Sequence, residues 1–441
     1  MVLNEYIIVG MEISIKTMGC RLNRAEAAAM TGALEAAGHE VVDGGGCLTR
    51  RREGAKSGAA GGGAMADAFV LHTCTVTGAA RAEALRHVRN ARKRGVAHIV
   101  VSGCGANTER DAFAAAGADV VVDAKCNAVF GDDVFGIGRL ALDSFNAVSP
   151  GLPKYAATRA SIKIQDGCDF RCAYCIVPDA RGAPVSRPAG AIIDEIRRLA
   201  EENAFREFVL TGVNVATWAH GGMTLCDLIM GIARIGSVAR IRLSSVEPST
   251  AEYRIIDLMA AAESKLCRTL HYPLQSGDDG VLKLMRRRYS AGEYADALDY
   301  AAGKIPRLGL GADVITGFPG ETDEAFANTR DFILRRPFTY LHVFPYSERP
   351  GTPAAEMPGK IPVSVRRARA RELIAIGKGK SLAFAESFVG AEAEALVEKT
   401  NPARGWTSEY VPAEIPGAAD AAPGQIIRFP VLRVENGVVS G

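Results

Sequence analysis

Short apolar runs rich in β-branched residues recur along the first 125 positions, separated by stretches whose apolar residues repeat every three to four. The runs Glu12–Thr17 (EISIKT), Asp67–His72 (DAFVLH), Ala97–Gly103 (AHIVVSG) and Asp119–Ala124 (DVVVDA) read as strands. The helical pattern LNRAEAAAMTGALEAAG lies between the first two and closes at Gly38, a natural C-cap. This alternation implies a parallel sheet with helices on both faces. Gly44 to Ala64 breaks it: the stretch is rich in Gly, Ala, Arg and Lys without apolar periodicity, as expected of a surface insertion. A loose stretch from Ser144 to Thr158, with Pro150, Gly151 and Pro153, marks a domain boundary.

The alternation resumes at Ser161. SIKIQ, EFVLTG, RIRLSS, RTLHY, LGADVITG and TYLHVF give six strand–helix units, which fit a partial or complete β/α barrel. Such barrels place their active sites at the C-terminal ends of the strands. After Ala383 the pattern changes to short strands with turns, EALVEKT, EYVPAEI and QIIRFPVLRV, expected of a small all-β domain. The expected fold class is therefore α/β, with an N-terminal parallel domain over residues 11–143, a central barrel over 156–382 and a C-terminal all-β domain over 383–441.

Composition narrows this only modestly. A chain of 441 residues exceeds one ordinary core. Its apolar fraction of 48% and charged fraction of 23% are those of a soluble globular protein. No apolar run approaches the roughly 20 residues that span a bilayer. Met1 to Gly10 lacks the basic flank and small-residue cleavage pattern of a signal peptide, so a cytoplasmic location is expected. Thiols stay reduced there, and ten cysteines then suggest metal or catalysis rather than disulfides. The net charge of +2 says little, but its distribution is uneven. Arg81, Arg86, Arg89, Arg92, Lys93 and Arg94 share one helix, and Arg366, Arg367, Arg369, Arg371, Lys378 and Lys380 another, while Arg286, Arg287 and Arg288 are consecutive. Such clusters neutralise phosphates or simply form solvated faces.

The decisive chemistry lies in Cys168-Asp169-Phe170-Arg171-Cys172-Ala173-Tyr174-Cys175, directly after SIKIQ. Three thiolates in eight residues can hold three irons of a cubane cluster and leave the fourth without a protein ligand. An open iron can bind the amino and carboxylate groups of S-adenosylmethionine (SAM) and deliver an electron to its sulfonium. A structural zinc site would need a fourth ligand nearby, and Ile176 to Asn203 supplies none. No HExxH, GxSxG or Walker-type loop points to hydrolase or nucleotide chemistry. Cys20, Cys74 and Cys104 each follow a predicted strand (TMGC, LHTC, VSGC) and would meet at the carboxyl edge of the N-terminal sheet, where a second cluster could sit. Cys47, Cys126, Cys226 and Cys267 show no such pattern.

The CxxxCxxC loop resembles that of the radical SAM superfamily. The resemblance implies that Tyr174 touches the adenine of SAM. It also makes credible pocket walls of Thr211, Gly212 and Asn214 (LTGVN) and of Gly317 and Gly320 (ITGFPGE), with Glu247 a candidate SAM contact and Glu321 another. Over nearly the whole chain, KIQDGCDFRCAYCIVP, RLSSVEP, PLQSGDDGVLKLMRRRY and DVITGFPGET together resemble the methylthiotransferase family, and the β tail looks like a TRAM RNA-binding domain. The family resemblance implies two [4Fe-4S] clusters, a catalytic one on Cys168, Cys172 and Cys175 and a second on Cys20, Cys74 and Cys104 that carries or donates sulfur, with a second SAM supplying the methyl group. It implies a tRNA anticodon stem-loop as partner, and an electron donor such as flavodoxin or ferredoxin. Three substrate classes exist in the family: threonylcarbamoyladenosine at position 37 of tRNA, isopentenyladenosine there, and an aspartate of a ribosomal protein. LHVFPYS (Leu341–Ser347) and GWTSEY (Gly405–Tyr410) look most like the first. His72 stands where the family more often carries Asn, poised to bond cluster sulfur or backbone.

Overall fold

The computed structural model describes residues 10–43, 66–122, 158–248, 253–418 and 420–441. The Gly44–Ala64 insertion, Cys47, Cys126 and nearly all of the Ser144–Thr158 boundary lie outside them. No described helix is long and apolar enough to cross a membrane. Two compact units divide the chain. One holds Met1–Ala156 with Gly167–Asp169 and Ile176–Ala183; the other holds Ala157–Asp166, Phe170–Cys175 and Pro184–Gly441.

The first unit is a parallel five-stranded sheet, β1 (Glu12–Thr17), β2 (Glu40–Asp43), β3 (Ala68–Thr73), β4 (His98–Gly103) and β5 (Val120–Val121), in the order β2-β1-β3-β4-β5. Alternate side chains feed opposite faces, as the two-residue strand period requires. Val70 and Val100 pack with Met30 and Leu34 of α1 (Arg21–Ala36), whereas Phe69, Leu71 and Val101 pack with Leu85 and Val88 of α2 (Gly78–Lys93). Thr77 caps α2, accepting the Ala80 N–H. The edge strand β2 was not legible in the pattern because only Val41 of its four residues is buried. Two short helices follow β4, α3 (Cys104–Thr108) and α4 (Arg110–Ala115), and α5 (Val177–Arg181) joins this unit from far along the chain.

The second unit carries six parallel strands as two hydrogen-bonded triplets. The first is β6 (Arg159–Lys163), β9 (Glu207–Thr211) and β12 (Arg240–Leu243), and the second is β13 (Thr269–His271), β14 (Gly309–Thr316) and β15 (Tyr340–Pro345). Backbone bonds from Ile241 to Lys265 and Cys267 join the triplets. Among the described residues β6 and β15 are not paired, so the barrel is partial. Two hairpins, β7 (Gln165–Asp166) with β8 (Val185–Ser186) and β10 (Ala219–His220) with β11 (Met223–Thr224), decorate it. The tail is one six-stranded sheet, β16 (Glu392–Lys399), β17 (Arg404–Thr407), β18 (Pro412–Glu414), β19 (Ile426–Pro430), β20 (Arg433–Glu435) and β21 (Val438–Ser440), which clusters with the barrel. QIIRFPVLRV thus splits into two strands.

The N-terminal ends of the barrel strands are tied to this tail by buried charge. Arg242 donates to Glu207 at 2.8 Å and to the carbonyls of Thr407 and Ser408, and Arg240 reaches Glu394. Burial alone would raise the Glu207 carboxyl, but Arg242, Arg240 and Arg159 together hold it below the usual carboxylate range. A depressed folded-state value means stability present above the unfolded carboxylate pKa and lost as pH falls through the folded one. Glu207→Ala should therefore cost about 3–5 kcal/mol by stranding buried guanidinium groups. The stability gap between wild type and Glu207→Gln should shrink as urea melts are taken from pH 7 to below about pH 4.

Candidate cluster sites

In the first unit three strand-end loops meet as the pattern anticipated. Cys20 opens α1, Cys74 follows β3 and Cys104 opens α3. Gly19 has φ +104°, and a Cβ there would fall 2.6 Å from Cys74 Cβ and 3.1 Å from its Sγ, so only glycine admits this approach. Gly103, at φ +85°, similarly faces Thr73 backbone. Asn23 pins two of the loops, its amide donating to Met18 O at 2.8 Å and Thr73 O at 2.9 Å.

A buried polar chain runs beneath the thiols. Arg181 Nε donates to Cys104 Sγ at 2.9 Å, and its two terminal nitrogens grip Glu26 at 2.8 and 2.9 Å. One of these also reaches Asn23 Oδ1 at 3.1 Å, the atom that accepts from the Cys20 thiol at 3.6 Å. His72 bonds Glu26 at 3.1 Å and Ser102 Oγ at 2.9 Å. Its partners among the protein groups are side chains of α1 and β4 rather than backbone. Burial pushes the Cys104 thiol up to about 12, with Arg181 opposing and Glu26, Cys20 and Cys74 adding. Burial raises Cys74 too, and Cys20 adds to it. Two thiols held protonated by burial, with a third beside them, are a donor set that a bound cation would turn into thiolates. The residues thus fit an iron–sulfur group. Arg181, Glu26 and Asn23 were missed in the sequence, where Arg181 was visible only as the RG six residues past the last loop cysteine.

In the second unit Phe170–Cys175 is fixed at several points. Arg171 takes φ +52°, the Cys175 N–H bonds Cys172 O, and Ala173 exchanges backbone bonds with Met285 and Ala354. Tyr174 stands edge-on to Phe318 with ring centres 6.4 Å apart. Arg287 is the hub: it lies 3.4 Å from Cys172 Sγ and 3.5 Å from Tyr174 Oη, and one terminal nitrogen grips both Glu247 oxygens at 2.6 and 2.7 Å. Read in sequence as part of a basic run, Arg287 is instead a buried partner of the loop, and Glu247 is its counter-ion. Arg288 stacks 3.9 Å above Phe170. Cys168, in the other unit, donates its N–H to Gly182 O.

The strand-tip glycines lie close against neighbouring protein atoms. A Cβ at Gly212 would meet Gln165 O at 2.8 Å, one at Gly317 would strike Arg366, and one at Gly320 (φ +85°) would lie 2.9 Å from Leu284. In each case protein atoms stand where a side chain would go. Glu321 is likewise internal, accepting from the Gly317 N–H and from Arg369. Thr211 is buried and uses its carbonyl on Ile164. Asn214 Oδ1 and Ser244 Oγ, just past the adjacent strands β9 and β12, are buried with no hydrogen-bond partner among the described residues. Such orphaned acceptors at the barrel rim fit a polar ligand such as SAM. Cys226 and Cys267 are buried and far from these loops in the chain. Arg366 and Arg369 are also buried, paired with Glu348 and with Glu321 and Asp323, which leaves Arg367, Arg371 and Lys378 as the exposed cations named on that helix.

The partial β/α barrel with its three-cysteine loop defines a radical SAM protein, and the radical SAM superfamily model matches residues 162–333. A model described as uncharacterized protein family UPF0004 matches residues 51–123. The chain is 31% identical to the threonylcarbamoyladenosine tRNA methylthiotransferase MtaB of Bacillus subtilis, over 96% of this chain and 94% of that protein. It is 32% identical to the tRNA-2-methylthio-N(6)-dimethylallyladenosine synthase of Mycolicibacterium gilvum, over 87% and 75%. The solved radical SAM methyltransferase TsrM of Kitasatospora setae shares the fold, with a TM-score of 0.55 at 17% identity over 79% of this chain and 77% of that one. The chain belongs to the radical SAM methylthiotransferase family.

Proposed function

We propose that this protein replaces the C2 hydrogen of N6-threonylcarbamoyladenosine, at position 37 of tRNA, with a methylthio group. The observation that carries this reading is the second three-thiol site at Cys20, Cys74 and Cys104, which electron delivery to SAM alone would not need. Cys168, Cys172 and Cys175 would hold the SAM-binding cluster, and Tyr174, Thr211, Gly212, Asn214, Glu247, Gly317 and Gly320 would border SAM. When bound, SAM and the clusters supply a carbon radical, sulfur and methyl group. The chain's own part is to hold them: Arg287 fixes Glu247 and Tyr174 beside Cys172, and Arg181 supplies positive charge at Cys104.

Near-full-length likeness to relatives named for the threonylcarbamoyl substrate favours that nucleoside. The C-terminal sheet is proposed as a TRAM-like module that holds the anticodon stem-loop, an interaction that would weaken with salt. An electron donor of the flavodoxin or ferredoxin kind, and a cytoplasmic location, follow from the same reading. Deleting the gene should remove 2-methylthio-threonylcarbamoyladenosine from total tRNA and leave its unmethylthiolated precursor, as read by nucleoside mass spectrometry. Loss of the dimethylallyl derivative instead would move the substrate to the second class of relative. An unchanged nucleoside profile would overturn the tRNA assignment.

A further inference from the structure

Three side chains of the second triplet of barrel strands converge without a role in either cluster site. His271 ends β13, Asp313 lies in β14 and His342 in β15. Asp313 and His342 are direct cross-strand partners, and His271 pairs with Gly311, two residues before Asp313 on the same strand face. His271 Nε2 lies 3.1 Å and His342 Nδ1 3.3 Å from one and the same oxygen, Asp313 Oδ1. All three ligand atoms fall within 4.8 Å of one another.

We propose that His271, Asp313 and His342 form a mononuclear site for a divalent first-row transition ion of the zinc class, separate from both cluster sites. Two imidazoles and a carboxylate are the donors such ions take. With metal–ligand bonds of about 2.0–2.1 Å, the edges of a tetrahedron are about 3.3 Å long, and the two nitrogen–oxygen separations match that edge. The orientation of one ring is already set. Tyr340 Oη bonds His271 Nδ1 at 3.2 Å, which leaves Nε2 facing the carboxylate, the outer-shell arrangement that fixes a ligating imidazole. Access is provided by His342, half of whose side chain is exposed. Three protein ligands leave a position open, as in zinc sites that bind water or a substrate oxygen. Ile315, on the same strand face as Asp313, packs in the apolar cluster that also receives Tyr174, so the site looks into the interior bordered by the cysteine loop. An oxygen donor of the substrate is the fourth ligand this placement favours.

The test is titration of zinc ion into the two-cluster holoenzyme, by calorimetry, with X-ray absorption at the zinc edge on the singly loaded protein. The proposal expects about one zinc per chain and a first shell of nitrogen and oxygen with imidazole scattering. Outer-shell changes cost about 10–100-fold in affinity, so Tyr340→Phe should weaken binding within that range and His342→Ala by more. His342 is the exposed member, so its removal leaves the fold intact; unchanged cluster absorbance checks this, and Asp313→Asn gives an independent second loss. Sulfur in the zinc shell, no binding by the wild type, or undiminished binding by His342→Ala would each overturn the proposal.

Discussion

Cys172→Ala is expected to abolish SAM cleavage, by at least about a thousandfold, or roughly 4 kcal/mol of barrier. Iron should fall from about eight to about four per chain, the remainder staying on the N-terminal site. The reason lies in the loop. Cys172 is the buried member of the three, held through the Cys175 N–H bond and faced by Arg287 at 3.4 Å. Serine would not rescue it, because a hydroxyl is a far poorer iron ligand than a thiolate at neutral pH. Iron analysis and deoxyadenosine release, measured on the same anaerobic preparation, separate loss of this site from loss of the fold. Retention of SAM cleavage would place the catalytic cluster elsewhere.

Arg181→Leu is expected to empty the other site. Arg181 is 8% exposed and is the guanidinium that joins Glu26, Asn23 and Cys104. Leucine leaves Glu26 buried without this partner, a break that costs about 3–5 kcal/mol when one member of a buried pair is removed. It also removes the positive charge that opposes the burial of Cys104. The variant should lose about four irons, keep SAM cleavage and lose methylthiolation. Arg181→Lys keeps charge but loses the two-pronged grip on Glu26, so it should recover part of the iron and a lowered melting temperature. If Arg181→Leu retained full iron and activity, the buried chain would be scaffolding alone.

These two residues also mark where the sequence was informative and where it was not. Cys168, Cys172 and Cys175 stand out in sequence because metal chemistry restricts residue type and eight residues hold all three, and Cys20, Cys74 and Cys104 because each follows a predicted strand. The barrel strands were legible for the same reason: a buried parallel strand is a continuous apolar run. Arg181, Glu26 and Arg287 were not, because their meaning depends on partners 155 residues away in one case and 40 in the other. A basic residue in sequence carries no mark of burial, so Arg287, Arg366 and Arg369 were grouped with exposed cations. The glycines at Gly212, Gly317 and Gly320 stand out in sequence, but the groups packed against them, Gln165, Arg366 and Leu284, do not. Edge strands such as β2 escaped because half-exposed residues carry no clear period.

The most direct test of the account is a single-turnover reaction of the anaerobically reconstituted protein. Reductant, SAM and an anticodon stem-loop bearing threonylcarbamoyladenosine are supplied, and the nucleosides are read by mass spectrometry. The account predicts 2-methylthio-threonylcarbamoyladenosine with deoxyadenosine formed alongside it, and no product from Cys104→Ala despite continued SAM cleavage. Deoxyadenosine without any methylthiolated nucleoside, from wild-type protein carrying both clusters, would contradict it.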